Sequence, residues 1–169
     1  VASLLDCAAS SVGVAERTFV RVPAGTHYLD VSTLATSGLL TAEIVTSPPT
    51  PAPANDVCAG AFALVDGTPT DVDLARYDDD ESVACSIAGA LDAYYSFTLT
   101  AQRFVTLRAE GARAMSLRRG TCGAAALACA TGAPPQIAQI LDPDTYFVLV
   151  ESPPLEAATV RLRFTTADP

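Results

Sequence analysis

Residues 93–100, Ala-Tyr-Tyr-Ser-Phe-Thr-Leu-Thr, decide the fold because apolar side chains recur at every second position. One series consists of Ala93, Tyr95, Phe97 and Leu99, and the other of Tyr94, Ser96, Thr98 and Thr100. Successive side chains of a β-strand point to opposite faces, so a period of two places one series against a core. The stretch therefore predicts a half-buried antiparallel strand.

The same alternation recurs further along the chain. It is present at residues 105–109 and again at residues 160–165, while residues 146–150 are apolar throughout and predict a central strand. Turns rich in Gly, Pro and Asp separate these short segments, and residues 121–130 are predicted to form a loop. The pattern predicts an all-β chain folded as an antiparallel β-sandwich of jelly-roll type.

The phase of the alternation also predicts which side chains form the core. We expect one side of each strand to be buried between two sheets. The predicted core residues are Tyr95, Phe97, Leu107, Val148, Val150, Val160, Leu162 and Phe164.

Part of the chain is repeated. Residues 23–46, which include Gly25-Thr26-His27-Tyr28, match the order of residues 143–165, and a repeat at a fixed period indicates an array of similar units. We predict that residues 1–47 are the C-terminal half of one repeat, with strands near 18–22, 26–32 and 39–46. Residues 48–54 form a proline-rich spacer, and residues 55–169 form one complete repeat.

Charge and hydropathy exclude some partners. The net charge is −9, the isoelectric point is about 4.3, and every basic residue is Arg. An acidic chain argues against nucleic acid and against anionic membranes as partners. No apolar run approaches the roughly 18 residues that span a bilayer, so we expect no membrane insertion.

The cysteines indicate a compartment. Cys58, Cys85, Cys122 and Cys129 lie in the complete repeat, and four cysteines allow three connectivities. Sequence order and short loops favour Cys58–Cys85 and Cys122–Cys129. Disulfides persist in oxidising places, so the chain is predicted to be secreted or at the cell surface. The fifth, Cys7, is expected to be a free buried thiol, to be paired outside this segment, or to be bonded to another chain.

Four segments, taken in order, resemble a known family. They are Asn55-Asp56, residues 92–99, residues 141–150 and residues 160–164. This order resembles bacterial pre-peptidase C-terminal (PPC) domains, with the four cysteines as an addition typical of an extracellular variant, here in tandem. The resemblance implies a secreted, non-catalytic β-sandwich of the kind appended to proteases and other exported proteins.

The sharpest charge cluster is Asp78-Asp79-Asp80-Glu81. Adjacent carboxylates repel one another unless they are solvated or bridged by a cation, and Ca²⁺ accepts several carboxylates from one loop. The spacing is not that of an EF-hand. We therefore consider a solvated acidic loop and a calcium site at these four residues, and we expect no required cofactor.

Two aromatic positions are candidates for binding. Tyr94 is expected on the strand face away from the core, where an exposed tyrosine could stack on a sugar ring. His27, the single histidine, matches Tyr146 in the repeat and is predicted to have a packing or edge role. Arg118 and Arg119 are expected in a solvated turn. A histidine-dependent nucleophile would have to use His27, so we predict that the chain is not an enzyme.

These observations predict a non-catalytic structural or adhesive repeat of a cell-surface or matrix protein. A half-repeat cannot bury its own apolar strands, so we expect neighbouring repeats or identical subunits to complete it, as in a fibre or tube subunit. Polysaccharide or a matrix protein is a further possible partner. The alternative is an accessory calcium- or glycan-binding module of a secreted hydrolase.

Overall fold

The computed structural model of the chain describes residues 22, 24–32, 39–46, 48, 51–81, 85, 89–153 and 159–169. The chain divides into two compact units, Val1–Pro51 and Ala52–Pro169. All regular secondary structure of the described residues lies in the second unit, which contains nine β-strands and three single-turn 3-10 helices.

The strands of the second unit follow one another through short connections. In chain order they are β1 (Phe62–Ala63), β2 (Thr70–Asp73), β3 (Leu91–Leu99), β4 (Arg103–Glu110), β5 (Ala114–Arg119), β6 (Ala126–Thr131), β7 (Gln136–Leu141), β8 (Asp144–Ser152) and β9 (Thr159–Ala167). The 3-10 turns are Ala54–Asp56, Cys58–Gly60 and Leu74–Arg76.

The strands form two sheets. One has five strands in the order β1-β3-β8-β5-β6, and the other has four in the order β2-β9-β4-β7. Paired strands are antiparallel except for the two-residue β1, which runs parallel to β3. The predicted all-β sandwich is confirmed, with that one parallel pairing as a departure.

The core lies between the two sheets. Phe97 on β3 stacks on Phe164 of β9 with ring centroids 4.5 Å apart, and on Tyr146 of β8 at 5.2 Å. Every residue of the predicted core is buried, and all belong to one apolar cluster. The strand β8 lies between β3 and β5, as its continuous apolar run predicted.

The prediction of a loop at residues 121–130 is wrong in its second half. Residues 126–131 form β6, which pairs with β5 along the edge of the five-stranded sheet. Ala128 and Ala130 pack against the core, so small side chains are enough to fix the strand once a neighbour offers backbone hydrogen bonds. The loop is expected because a bond between Cys122 and Cys129 is predicted, and the structure pairs these cysteines with Cys58 and Cys85 instead.

The strands predicted in the first unit are not present at residues 26–32 and 39–46, which carry no regular secondary structure. The physical reason is pairing, because an extended segment becomes a strand when a neighbour satisfies its backbone groups. Of the predicted strand 18–22, only Val22 is among the described residues, and Cys7 also lies outside them. The number of repeats stays a prediction.

The contact between Phe97 and Phe164 should contribute strongly to stability. Phe164 is 5% exposed, so Phe164→Ala should lower the free energy of unfolding by roughly 3–5 kcal/mol through lost burial and a cavity. Phe104→Ala is the matched control, because Phe104 is 39% exposed, and it should cost much less. Urea denaturation measures both, and equal losses for the two variants would contradict this packing.

Candidate functional site

A polar network lies on the outer face of the five-stranded sheet. Asp92 and Tyr94 alternate along β3 with the core residues Ala93 and Tyr95, so they point away from the core. They are nevertheless buried, with 0% and 3% of their surfaces exposed. The chain preceding β3 therefore covers this face, and we call the covered set the outer polar network, which comprises Asn55, Asp56, Tyr77, Glu81, Asp92, Tyr94 and Arg118.

Asn55 and Asp56 anchor the start of the second unit to this network. The side-chain amide of Asn55 donates to the carbonyl oxygen of Tyr94 at 3.2 Å, and its oxygen accepts from the hydroxyl of Tyr77 at 2.8 Å. Asp56 accepts from the backbone N–H of Asp78 at 2.8 Å. The Asn-Asp pair of the family resemblance thus has a structural role, because it joins the first 3-10 turn to β3 and to the acidic segment.

Asp92 is the buried acid at the centre of the network. One carboxylate oxygen accepts from the backbone N–H groups of Asp80 and Glu81 at 3.0 and 3.1 Å. The other is buried and accepts no hydrogen bond from any described residue. Burial raises the pKa of Asp92 to about 7, the nearby Asp80 and Asp79 raise it further, and the two backbone hydrogen bonds act in the opposite direction.

Glu81 and Arg118 form an ion pair that bridges the acidic segment and β5. The guanidinium of Arg118 lies 2.8 Å from the carboxylate of Glu81, and the Arg118 side chain is only 4% exposed. The hydroxyl of Tyr94 donates to the same carboxylate, and Arg118 also donates to the carbonyl oxygen of Cys122. The hydrogen bond from Arg118 holds the pKa of Glu81 below its usual value, while burial and Glu81 raise the pKa of Tyr94.

Two disulfides enclose the network, with a pairing that differs from the predicted one. Cys58 is bonded to Cys122 and Cys85 to Cys129, with Cα atoms 6.0 and 6.1 Å apart. The predicted bonds Cys58–Cys85 and Cys122–Cys129 are therefore wrong. Short loops favoured them, but Cys129 lies on β6 opposite Ser116, away from the connection that holds Cys122. Each observed bond instead ties chain preceding β3 to the β5–β6 hairpin.

The structure corrects the expectation for Tyr94 and for Arg118. Tyr94 is buried and hydrogen-bonded, so it is not an exposed platform for a sugar ring. Arg118 is a buried partner of Glu81 rather than part of a solvated turn, whereas Arg119 is exposed and pairs with Asp144 at 2.7 Å. Strand alternation predicted the direction of Tyr94 correctly and missed the segment that covers it.

The four acidic residues of the proposed calcium site have different environments. Asp78 is partly buried through its backbone contacts, Asp79 and Asp80 are exposed, and Glu81 is held by Arg118. Within the part of the chain that the structure describes, no three acidic, cysteine or histidine side chains converge as a metal site would need. Calcium at these positions stays a prediction. His27 is exposed, in contrast to its repeat partner Tyr146.

The raised pKa of Asp92 predicts a pH-dependent stability. In the unfolded chain this carboxyl loses its proton near pH 3.8, whereas in the folded chain it keeps the proton up to about pH 7. Its stabilising contribution is therefore complete below pH 3.8 and is lost as the pH rises through 7. Across that window the loss approaches about 1.4 kcal/mol per pH unit.

Asp92→Asn should remove this dependence, because the asparagine oxygen can still accept from Asp80 and Glu81. The difference in unfolding free energy between the parent and Asp92→Asn, measured from pH 4 to pH 8, should shift in favour of the variant as the pH rises. Asp168→Asn removes an exposed carboxylate after β9 and controls for net charge. A constant difference across the range would contradict a neutral Asp92.

Comparisons with known proteins give a similarity to a solved structure and none to a family model. No family model matches the chain, and no curated protein matches it. No helix among the described residues has the length and apolar character needed to cross a membrane. Among solved structures, the chain is similar to the pre-peptidase C-terminal domain of a collagenase from Bacillus anthracis, with 13% identity and a TM-score of 0.47. The similarity covers 62% of this chain and 94% of that domain, which is of the family that the sequence resembles.

Proposed function

We propose that the chain is a non-catalytic extracellular module whose function is association, as a structural or adhesive repeat of a surface or matrix protein. The observation that carries the proposal is the exposed apolar surface of the first unit. Tyr28 is 91% exposed, Leu39 94%, Ile44 72% and Val45 81%. Ile44 and Val45 are adjacent in the chain, and exposed apolar surface is typical of sites that bind another protein.

Energetics favour covering these side chains. Burying one large aliphatic side chain contributes roughly 1.5–3 kcal/mol, so a partner that covers Leu39, Ile44 and Val45 would gain several kcal/mol before the cost of association. The segment 39–46 also has the residue types of a strand and carries no strand by itself. A strand from a neighbouring repeat or an identical subunit would supply both backbone hydrogen bonds and apolar contact.

The second unit suits an extracellular spacer. Its core is closed between two sheets, and its two disulfides span 64 and 44 residues of sequence. Bonds that close loops of this length stabilise a fold by about 2–5 kcal/mol and persist in oxidising compartments. Secretion or display at the cell surface is therefore part of the proposal.

The second candidate is an accessory calcium-binding module of a secreted hydrolase. One observation favours the calcium form, namely the buried oxygen of Asp92 that accepts no hydrogen bond from the described residues, beside Asp79 and Asp80. Against it, Glu81 is already paired with Arg118. The two candidates differ in what they require, because the first needs a protein partner and the second needs a cation.

The test is the self-association of the intact chain. Light scattering over a range of concentrations, with electron microscopy for filaments, should show assemblies larger than one chain. The double variant Leu39→Ser with Val45→Ser should weaken them at least tenfold. Val65→Ser is the matched control, since Val65 is 62% exposed in the second unit, and it should leave assembly unchanged. A single-chain mass at every concentration would contradict an associative function through identical subunits.

Calcium titration separates the two candidates. A folded chain that binds calcium gains about 2.7 kcal/mol at one hundred times the dissociation constant, which appears as a higher melting temperature. The associative proposal predicts no change in melting temperature with calcium or with a chelator. A rise with calcium that Asp79→Asn abolishes, in a chain that stays monomeric, would favour the accessory module.

A further inference from the structure

One side of the sandwich lacks charge. From Gly120 through Leu141 not one residue is charged, although charged residues make up 17% of the chain. This run contains β6 and β7, which are the edge strands of the five-stranded and the four-stranded sheet respectively. Both sheets therefore end, on the same side of the molecule, in strands without charged side chains.

The edge strands at the other ends of the two sheets, β1 and β2, have features that prevent pairing with strands of other chains. β1 has two residues, and β2 has four, of which Asp71 and Asp73 are charged. Asp71 is held by a bidentate contact with Arg161 at 2.7 and 2.8 Å. Short length and charge on an edge strand discourage pairing with other chains. The contrast within one molecule shows that the neutral edges lack a protection that the other edges have.

Of the two uncharged edge strands, β7 is the better suited to pair with an added strand. The β5–β6 ladder is irregular between Leu117 and Arg118, and β6 is tied down by Cys129, whereas β7 pairs with β4 in unbroken register over its whole length. Irregular ladders also protect edges. The sequence of β7, Gln-Ile-Ala-Gln-Ile-Leu, has no charge, no Pro and no Gly, which favours pairing with another strand.

The solvent face beside this edge is apolar. Ile140 is 55% exposed on β7, and Phe104, 39% exposed, lies directly opposite it on β4. Ala138, the next outward residue of β7, is also exposed and too small to shield the backbone. Among the described strands β7 has a neighbour on one side only, so a strand added along it would gain backbone hydrogen bonds and apolar contact from Ile140 and Phe104.

We propose that β7 pairs antiparallel with β7 of a second copy of this chain, joining the two four-stranded sheets into one. Two chains of −9 each repel one another, so copies of this chain can meet only where both surfaces are neutral, and the β7 edge is such a surface. Symmetry argues for a copy as the occupant, since an antiparallel pair of identical strands is related by a two-fold axis and is self-complementary.

Side-chain direction restricts the register. Outward residues of one copy must face outward residues of the other, so a two-fold axis at Ala138 places the two Ala138 residues opposite each other and Gln136 opposite Ile140. Two alanines at the axis leave space for the larger neighbours. The strand is short, and stable interfaces bury roughly 1,200–2,000 Å², so this contact gives a weak, concentration-dependent dimer.

This inference deepens the proposed associative function and rests on it, but it uses a surface other than Leu39 and Val45. The experiment is sedimentation equilibrium of the intact chain in the Leu39→Ser, Val45→Ser background, which leaves the β7 contact as the association measured. Ala138→Lys places two positive charges across the axis and should weaken the dimer at least tenfold. Thr165→Lys, an exposed position on the same face of β9, adds the same charge away from the edge and should leave it intact.

A second variant tests the same contact without relying on Ala138→Lys, which could lose the dimer simply by misfolding. In a Cys7→Ser background, Ala138→Cys should form a disulfide-linked dimer under mild oxidation, because directly paired residues of adjacent strands have the spacing that a disulfide needs. Thr165→Cys should not. Equal dimerisation of the two lysine variants, or no cross-link at position 138, would overturn the β7 interface. If the first-unit variants alone abolish association, the proposed function stands and this inference falls.

Discussion

The antiparallel ladder between β3 and β8 is the constraint on which the rest of the molecule depends. It runs without interruption from Leu91 paired with Ser152 to Leu99 paired with Asp144. Its inner side supplies Phe97, which stacks on Phe164 of the opposite sheet, and so it fixes the distance between the two sheets. Its outer side carries Asp92 and Tyr94. One ladder therefore defines both the apolar core and the buried polar face behind it.

The covered outer face explains why the disulfides have their observed pairing. Asn55 and Asp56 place the preceding chain across β3, and Glu81 reaches over β8 to Arg118 on β5. Cross-links from this covering chain to the β5–β6 hairpin hold it down, which sequential bonds could not do. A buried ion pair costs desolvation that its mutual attraction only partly offsets, so covalent closure of this face has a clear physical use.

Much of the fold could be predicted from the sequence because alternation reports burial directly. The inward phase of β3, β4, β8 and β9 was correct at every predicted core residue. What alternation cannot report is whether an outward side chain meets water or more protein, and so the prediction for Tyr94 is wrong. Arg118 is missed for another reason, because it is expected in a turn after a strand and lies within β5. The cysteine pairing failed for a related reason, since sequence distance says little about which loops are adjacent in space. The strand β6 has one large apolar side chain, Leu127, and the wrongly predicted Cys122–Cys129 bond favours a loop in its place.

The proposed function rests on the same difference between surface that is covered by protein and surface that is exposed to solvent. The outer polar network is covered by chain that two disulfides hold in place. Ile140 on β7 and the large apolar side chains of residues 39–46 are instead exposed. We propose that a chain built in this way acts through strand contacts at its exposed surfaces rather than through chemistry at its buried polar groups. On this proposal the edges that carry charge or are very short, β1 and β2, take no part in those contacts.

Hydrogen–deuterium exchange of the intact chain at low and high concentration tests this claim most directly, because it reports backbone hydrogen bonding residue by residue. We expect two sets of amides to exchange more slowly at high concentration, namely the β7 amides that point away from β4 and the amides within residues 39–46. Amides of β1 and β2 should not change. Exchange at β7 and at residues 39–46 that is the same at both concentrations would contradict it.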